Sequence, residues 1–328
     1  MNTQNLLNKL WYTDTPYKYL LLPLSKLYEG VIKIRKNYYQ KKSKINGEFQ
    51  VPIIVVGNIT VGGTGKTPLT IWLANFLKEQ GYKPGIVSRG YGGKAFIYPQ
   101  IVTAESDPAV VGDEPLLIVQ HTQCPLIVDP DRVNAVRTLL KNNSCDVVIS
   151  DDGLQHYNLP RDLEILVIDG DRRFGNGLCL PAGPLREPIS RCKEIDFVVT
   201  NGLAQSGEFQ MVLAPEKIVN IADPKNTQSA GEFVGKIVHA VAGIGNPHRF
   251  FQSLRQMGMT VAEHVFPDHY YFTPQDINYG ADAIVIMTEK DAVKCRSFAD
   301  ARHWCLPVRA QIDHEFGKQL LNRLTSSK

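Results

Sequence analysis

PIIVVGNITVGGTGKTPLT, residues 52–70, decides how the rest of the chain is read. An apolar run, Ile53–Val56, breaks into a loop holding Gly57, Gly62, Gly63 and Gly65. Lys66 and Thr67 follow, and then a segment, Leu69–Leu77, whose apolar residues recur at about the helical period. The order is strand, phosphate loop, helix. Glycines let backbone N–H groups converge on an anion, and the helix N-terminus adds unsatisfied donors and the positive end of its dipole. The nucleotide-binding stretch is therefore Thr60, Val61, Gly62, Gly63, Thr64, Gly65, Lys66 and Thr67, with Lys66 reaching the β- and γ-phosphates and Thr67 holding Mg²⁺. One position departs from G-x-x-x-x-G-K-[ST], because Thr60 stands where the first glycine belongs. A glycine-rich turn with a surface lysine would share many of these letters.

With 328 residues, 43% of them hydrophobic and 21% charged, the chain can bury a large core and is long enough for two domains. A net charge of +3 is too small to point to nucleic acid as a partner. Cysteines at 124, 145, 179, 192, 295 and 305 form no C-x-x-C pair and have no histidine at ligand spacing. Reduced thiols in a cytosolic protein are expected, without disulfides or zinc.

No run of eighteen apolar residues occurs, and Leu20–Leu24 is interrupted by Pro23 with no small-residue cleavage site after it, so neither a membrane span nor a signal peptide is expected. The first 44 residues do carry leucines and aromatics (Leu6, Leu10, Trp11, Tyr12, Tyr17, Tyr19, Leu24, Leu27, Tyr28) ahead of Lys33, Arg35, Lys36, Lys41, Lys42 and Lys44. That composition suits an interfacial helix pair on an anionic membrane. It suits equally a helix packed on the core with a solvated basic tail.

From Gly85 onward strands alternate with helical segments. Strands are expected at Gly85–Ser88, Leu126–Val128, Asp146–Ser150, Leu163–Asp169 and Phe197–Thr200, with a helix over Asp131–Lys141. This is an α/β pattern: a parallel sheet of the phosphate-loop NTPase type with helices on both faces. Asn201–Asn220 reads as a linker or ribbon. Beyond it, strands at Lys236–Ala242, Ala283–Met287 and Cys305–Val308, with helices at Pro247–Met257, Asp291–Phe298 and Glu315–Leu324, predict a second, smaller α/β domain. The expected division is an N-terminal membrane-associating helical segment over 1–44, the phosphate-loop core over 45–200, and a linker with the smaller domain, closing over the active site, over 201–328.

Ligands of parallel α/β sheets sit beyond the carboxyl ends of the strands, and several polar clusters fall there. Val147–Ser150 runs into Asp151 and Asp152, as a Walker B strand does, with a carboxylate for Mg²⁺. Gly112-Asp113-Glu114-Pro115 reads most simply as a helix cap, although a kinase would have use for such a carboxylate pair. Asp268-His269 could be a base and its orienter or a structural pair. Arg89 stands in the glycine-rich loop 88–93, Gln155 and His156 follow the Asp151-Asp152 pair, and Arg186 and Glu187 lie in another loop. Arg172, Arg173, Arg186 and Arg191 could together bind a second phosphate, or simply be solvated.

In this order TVGGTGKTP (60–68), SRGYGG (88–93), GDEP (112–115), DDGLQH (151–156), RDLEI (161–165), PLREP (184–188), GIGNP (243–247), Asp268-His269 and TEKDAVK (288–294) resemble the tetraacyldisaccharide 4′-kinase family, the lipid A 4′-kinases of Gram-negative bacteria. The likeness extends from the N-terminal segment to about residue 310 and makes the Thr60 departure the family's own form of the loop. It implies transfer of phosphate from Mg-ATP to the 4′-hydroxyl of a tetraacylated disaccharide 1-phosphate by a peripheral protein at the cytoplasmic face of the inner membrane, expected to act as a monomer. It implies catalytic roles for Asp113, His269 and Lys66, metal contacts for Thr67, Glu114, Asp151 and Asp152, and further active-site roles for Arg89, Gln155, His156, Arg186 and Glu187. TEKD (288–291) receives no chemical role. A GTPase switch would require N/T-K-x-D, whose spacing Thr288-Glu289-Lys290-Asp291 lacks. A soluble small-molecule kinase would leave the basic N-terminus unexplained.

Overall fold

In a computed structural model of the chain, residues 3–13, 15–42 and 49–326 are described. The side chains of Leu6, Lys41, Lys42 and Lys44 lie outside the described ones. The chain divides into two compact units that its sequence enters and leaves more than once. The first comprises Met1–Arg89, Asp131–Val212 and Ile312–Lys328, the second Gly90–Pro130 and Leu213–Gln311. This differs from the expected division at 200. Periodicity reports that a segment is helical or extended, whereas the sheet it joins is set by packing with residues far away in sequence.

In the first unit, parallel strands pair in the order Phe209–Pro215, Phe197–Asn201, Leu163–Asp169, Ile53–Gly57, Val147–Ser150 and Pro84–Ser88. Ile53–Gly57, Val147–Ser150 and Leu163–Asp169 are buried at every position, as strands covered on both faces must be. The phosphate loop leaves the central strand between two neighbours that end in carboxylates, Asp151 on one side and Asp169 on the other. The stretch read as a linker or ribbon supplies the strand Phe209–Pro215. The helix His314–Ser326, expected in the second domain, packs here: Phe316 lies 5.5 Å from Trp72, 5.6 Å from Phe197 and 5.3 Å from Phe209, ring centre to ring centre.

Helices Thr3–Tyr12 and Lys18–Lys42 also belong to the first unit. Trp11 is buried and its indole N–H donates to the Pro181 carbonyl. Ser25, fully buried, donates to the Cys179 carbonyl and accepts from the Ala182 N–H, and the Tyr28 hydroxyl donates to the Arg186 carbonyl. The opposite side of the second helix exposes Leu20, Leu24, Leu27, Val31, Ile34 and Tyr38, a stripe spaced alternately four and three residues apart. Leu20 is 77% exposed and Ile34 71%. One face of this helix is thus packed on the first unit, as the second reading of the N-terminus expected, while the other is exposed and apolar. Among the described residues no helix is long and apolar enough to cross a membrane.

The second unit is built on a six-stranded sheet ordered Thr227–Gln228, Ile218–Asn220, His303–Leu306, Ile284–Thr288, Ile237–Ala242 and Thr260–Val265; the last four run parallel. Phe233, Phe251, Leu254 and Trp304 fill one face of its core; Phe272, Ile277, Met287 and Cys295 fill the other. The segment 90–130 adds the antiparallel pair Gln100–Val102 and Leu126–Val128 and the helix Asp113–Thr122, which packs against the helix Glu289–Cys295.

Candidate active site

Of the residues singled out above, Asp113, Glu114, Asp268 and His269 fall in the second unit, and the phosphate loop, Arg89, Asp151, Asp152, Gln155, His156, Arg186 and Glu187 fall in the first. In the first, Gly62 and Gly65 adopt φ of 103° and 102°, a region that side chains disfavour. A Cβ on Gly65 would stand 2.9 Å from the amide of Asn201 and from Met211. Thr60 forms an isolated bridge with Leu185, and the Val61 N–H donates to the Pro184 carbonyl at 2.8 Å, so the loop begins in extended backbone where a glycine has no advantage. That accounts for the departure at Thr60. Side-chain amides pin the loop from both sides: Asn58 to the Gly62 carbonyl at 3.3 Å and Asn201 to the Thr64 carbonyl at 3.2 Å. Arg172 donates to the Gly63 carbonyl and pairs with Asp169 at 3.1 Å.

Lys66 and Thr67 open the helix Lys66–Glu79. The Lys66 ammonium lies 3.6 Å from Asp152, whose carboxylate also receives Arg186 at 3.4 Å. Burial works to raise the Asp152 carboxyl, but Lys66 and Arg186 outweigh it and hold it at about 2. Asp151 is buried and accepts a hydrogen bond from Thr70 at 3.1 Å, so the two neighbouring acids do different work. The Thr64 hydroxyl is buried without a partner beside the left-handed glycines. A hydroxyl and carboxylates are hard oxygen donors, the set that Mg²⁺ takes. Together with the glycine cradle and the unpartnered Thr64, they fit a magnesium-bound phosphate chain.

Gln155 donates to the Asn58 carbonyl at 3.0 Å and to Glu187 at 2.7 Å, and Glu187 also pairs with Arg191 at 3.3 Å. Gln155 and Glu187 thus brace the base of the loop from within. Burial pushes His156 down to about 4, with Arg132 and Arg89 adding to the effect, so it is a neutral imidazole at neutral pH. The four arginines do not converge: Arg173 pairs with Glu208, Arg191 with Glu164, Arg186 with Asp152 and Arg172 with Asp169. Local carboxylates pair with each one, so the reading in which they share a phosphate is not supported, and they are not simply solvated either.

In the second unit, Gly112 precedes the helix Asp113–Thr122 and places Asp113 and Glu114 in its first turn, as a helix cap would. Asp113 nevertheless reaches a partner 156 residues away. Its carboxylate is buried and lies 3.1 Å from His269 Nδ1, with Lys294 at 3.7 Å. Burial works to raise the Asp113 carboxyl, yet the His269 hydrogen bond and the two nearby lysines hold it below the ordinary carboxylate value. His269 sits at φ 59°, a strained conformation for a non-glycine residue. Its N–H donates to Asp268 at 3.1 Å, and the Tyr91 ring meets the imidazole edge-on at 4.7 Å. Gly92, at φ 82°, approaches so closely that a Cβ would lie 3.1 Å from His269 Nδ1. Asp113, His269 and Lys294 line an open cavity with Tyr271 and Phe272. Glu114 pairs with Lys290 at 3.0 Å.

TEKD gains a structural reason. Thr288 caps the helix Glu289–Cys295, while the fully buried Asp291 accepts from the Gly243 N–H at 2.8 Å and the Thr288 hydroxyl at 2.6 Å. Lys290 and Lys294 then project from one side of that helix. Sequence reasoning missed these lysines, as it missed Asn201 and Tyr91; the spacing of two cations four residues apart was the available signal.

The sequence profile of the family described as "Tetraacyldisaccharide-1-P 4'-kinase" matches residues 17–325. The tetraacyldisaccharide 4′-kinase of Nitrosococcus oceani is 50% identical over 320 residues, covering 98% of this chain and 94% of that one. That of Methylobacillus flagellatus is 49% identical over 321 residues, covering 97% and 96%. Among solved structures, LpxK from Aquifex aeolicus in complex with ATP superposes with a TM-score of 0.78 at 30% identity, covering 94% of this chain and 99% of that one.

Proposed function

We infer the reaction from kinship and the roles of residues from geometry, for the chain belongs to the tetraacyldisaccharide 4′-kinase family. It is an ATP-dependent kinase that phosphorylates the 4′-hydroxyl of tetraacyldisaccharide 1-phosphate in lipid A biosynthesis. The observation that carries the assignment of roles is the buried Asp113 carboxylate held 3.1 Å from His269 beside an open cavity, in a chain that also bears a complete phosphate loop.

The loop Thr60–Thr67 binds the donor phosphates, and Lys66 exchanges Asp152 for the γ-phosphate. Thr67, Asp151 and Asp152 would hold Mg²⁺, which when bound neutralises charge on the β- and γ-oxygens. Glu114, expected among these ligands, is assigned to Lys290 instead. The exposed Arg89 is the cation available to a phosphorylated substrate, while Arg186 shares Asp152 with Lys66. Asp113 accepts the proton of the attacking hydroxyl, and His269 fixes the carboxylate in place. Transfer of labelled γ-phosphate to a lipid A precursor tests these roles. Asp113→Ala and His269→Ala are expected to lower it by about 10²- to 10⁴-fold; undiminished transfer by both would remove them from the mechanism. Closure of the second unit on nucleotide binding belongs to the same proposal. Distances between labels on the two units should change on adding an ATP analogue with Mg²⁺, and constant distances would exclude it.

We also place the protein, as a monomer, on the anionic cytoplasmic face of the inner membrane. The exposed stripe Leu20–Tyr38 supports this, with Lys33 and Arg35 on the same helix and an acceptor whose four acyl chains stay in the bilayer. Deleting the helices would also strip Trp11, Ser25 and Tyr28 from the first unit, so the informative variant is the pair Leu24→Glu and Leu27→Glu. Binding to anionic vesicles is expected to fall by at least about 10-fold with ATP affinity kept. Unaltered vesicle binding, or loss of a dimer in its place, would give the stripe to another partner.

A further inference from the structure

Lys290 and Lys294 stand one turn apart on the helix Glu289–Cys295, and both ammoniums reach the Asp113–His269 pair. Lys290 Nζ lies 3.3 Å from His269 Nε2, 3.0 Å from Glu114 and 3.2 Å from Asp268. An ammonium has only donors. The ring nitrogen that faces it must therefore be the accepting one, which leaves the imidazole proton on Nδ1, aimed at the Asp113 carboxylate. We propose that Lys290 is a positioning residue that fixes His269 in its Nδ1–H tautomer and so assigns proton acceptance to Asp113 and not to His269 Nε2.

The surroundings of the ring leave little room for the other tautomer. Among the described residues the carboxylate within ion-pair distance of Nε2 is Asp268, at 3.8 Å, too long for a hydrogen bond, and its Oδ1 receives Lys290 and the His269 backbone N–H. The Tyr91 ring makes a T-shaped contact with the imidazole, 4.7 Å between ring centres. Lys294 is directed to Asp113 and Asp291, at 3.7 and 2.8 Å, and not to the imidazole. Burial alone would favour an uncharged Lys290, but Glu114, Asp113 and Asp268 outweigh it and keep the ammonium. With Nε2 occupied by a donor, the substrate hydroxyl has no acceptor there. The Asp113 carboxylate, which carries several lone-pair sites, still has capacity after receiving Nδ1–H and the Glu114 N–H at 2.9 Å.

The test reads the imidazole nitrogens of His269 by two-dimensional ¹H–¹⁵N NMR on the full chain at neutral pH, without nucleotide or lipid, with His269→Gln assigning the signals. The wild type is expected to show a protonated Nδ1 and an accepting Nε2. In Lys290→Met the Nε2–H form should appear, and kcat for phosphate transfer should fall by about 10- to 100-fold with KM for ATP unchanged. A wild-type spectrum with the proton on Nε2 overturns the proposal even if the variant fails to fold. So does a folded Lys290→Met that keeps the wild-type tautomer and kcat. The kinetic arm rests on the acceptor-activating role of Asp113 and His269, whereas the spectrum does not. Failure of that role would show as undiminished transfer by Asp113→Ala with the tautomer intact.

Discussion

The phosphate loop and the Asp113–His269 cluster are two solutions to the same problem, holding charged groups still inside a protein. The loop does so with neighbours in sequence: left-handed glycines, a helix N-terminus and Lys66 all fall within a few residues, braced by single hydrogen bonds from Asn58 and Asn201. The cluster gathers residues 91–92, 113–114, 268–269 and 290–294, and it holds them by opposing charges. A contiguous site depends on backbone conformation. A dispersed one depends on its ion pairs all being present at once, since each buried charge left alone is costly.

Substitutions can break this contrast in order of size. Lys66→Ala should cost on the order of 10³-fold or more in transfer and weaken ATP binding as well, seen by titration calorimetry. Asp113→Asn should cost about 10²-fold or more in transfer with ATP binding kept, because it alters the acceptor side alone. Gly92→Ala tests how much strain the cluster tolerates. At φ 82° the new Cβ would press on His269 Nδ1, and kcat should drop about 10-fold without loss of ATP affinity. The smallest effect concerns stability. His156 titrates near 4 in the folded protein and near 6.5 when unfolded, so between these values the unfolded chain binds more protons. Its contribution is complete above about pH 6.5 and is lost as pH falls toward about 4, with a slope of up to about 1.4 kcal/mol per pH unit. Chemical denaturation of wild type and His156→Gln at pH 7 and pH 5 should show that the variant loses less stability on acidification.

The same contrast explains what could be read from the chain. The phosphate loop, its strand and its helix were legible because their residues act on one another locally. So was the Asp151-Asp152 pair, which ends a wholly apolar strand. Asp113 by itself looked like a helix cap, and its first-turn position bears that out; nothing local announces a histidine 156 residues later. That pairing entered through family resemblance. Lys290 and Lys294 went unassigned because a lysine on a short helix is ordinarily solvated, and only the fold brings three carboxylates around one of them. The arginines failed the opposite way. Four cations in one region suggested convergence, but each had an acid within reach of its own side chain. The unit boundaries were hidden for a similar reason, since the aromatic partners of Phe316 are spread from Trp72 to Phe209.

The return of the helix His314–Ser326 to the first unit sets a timetable for the chain as it is made. Trp72, Phe197 and Phe209 leave the ribosome well before Phe316, and until it arrives the sides of their rings that meet it lack that cover. The second unit can close its own core in the meantime, because Leu213–Gln311 is already complete. The phosphate-binding unit, begun first, is finished last. Over the intervening stretch of synthesis the nascent protein carries an open aromatic surface that invites aggregation or a chaperone.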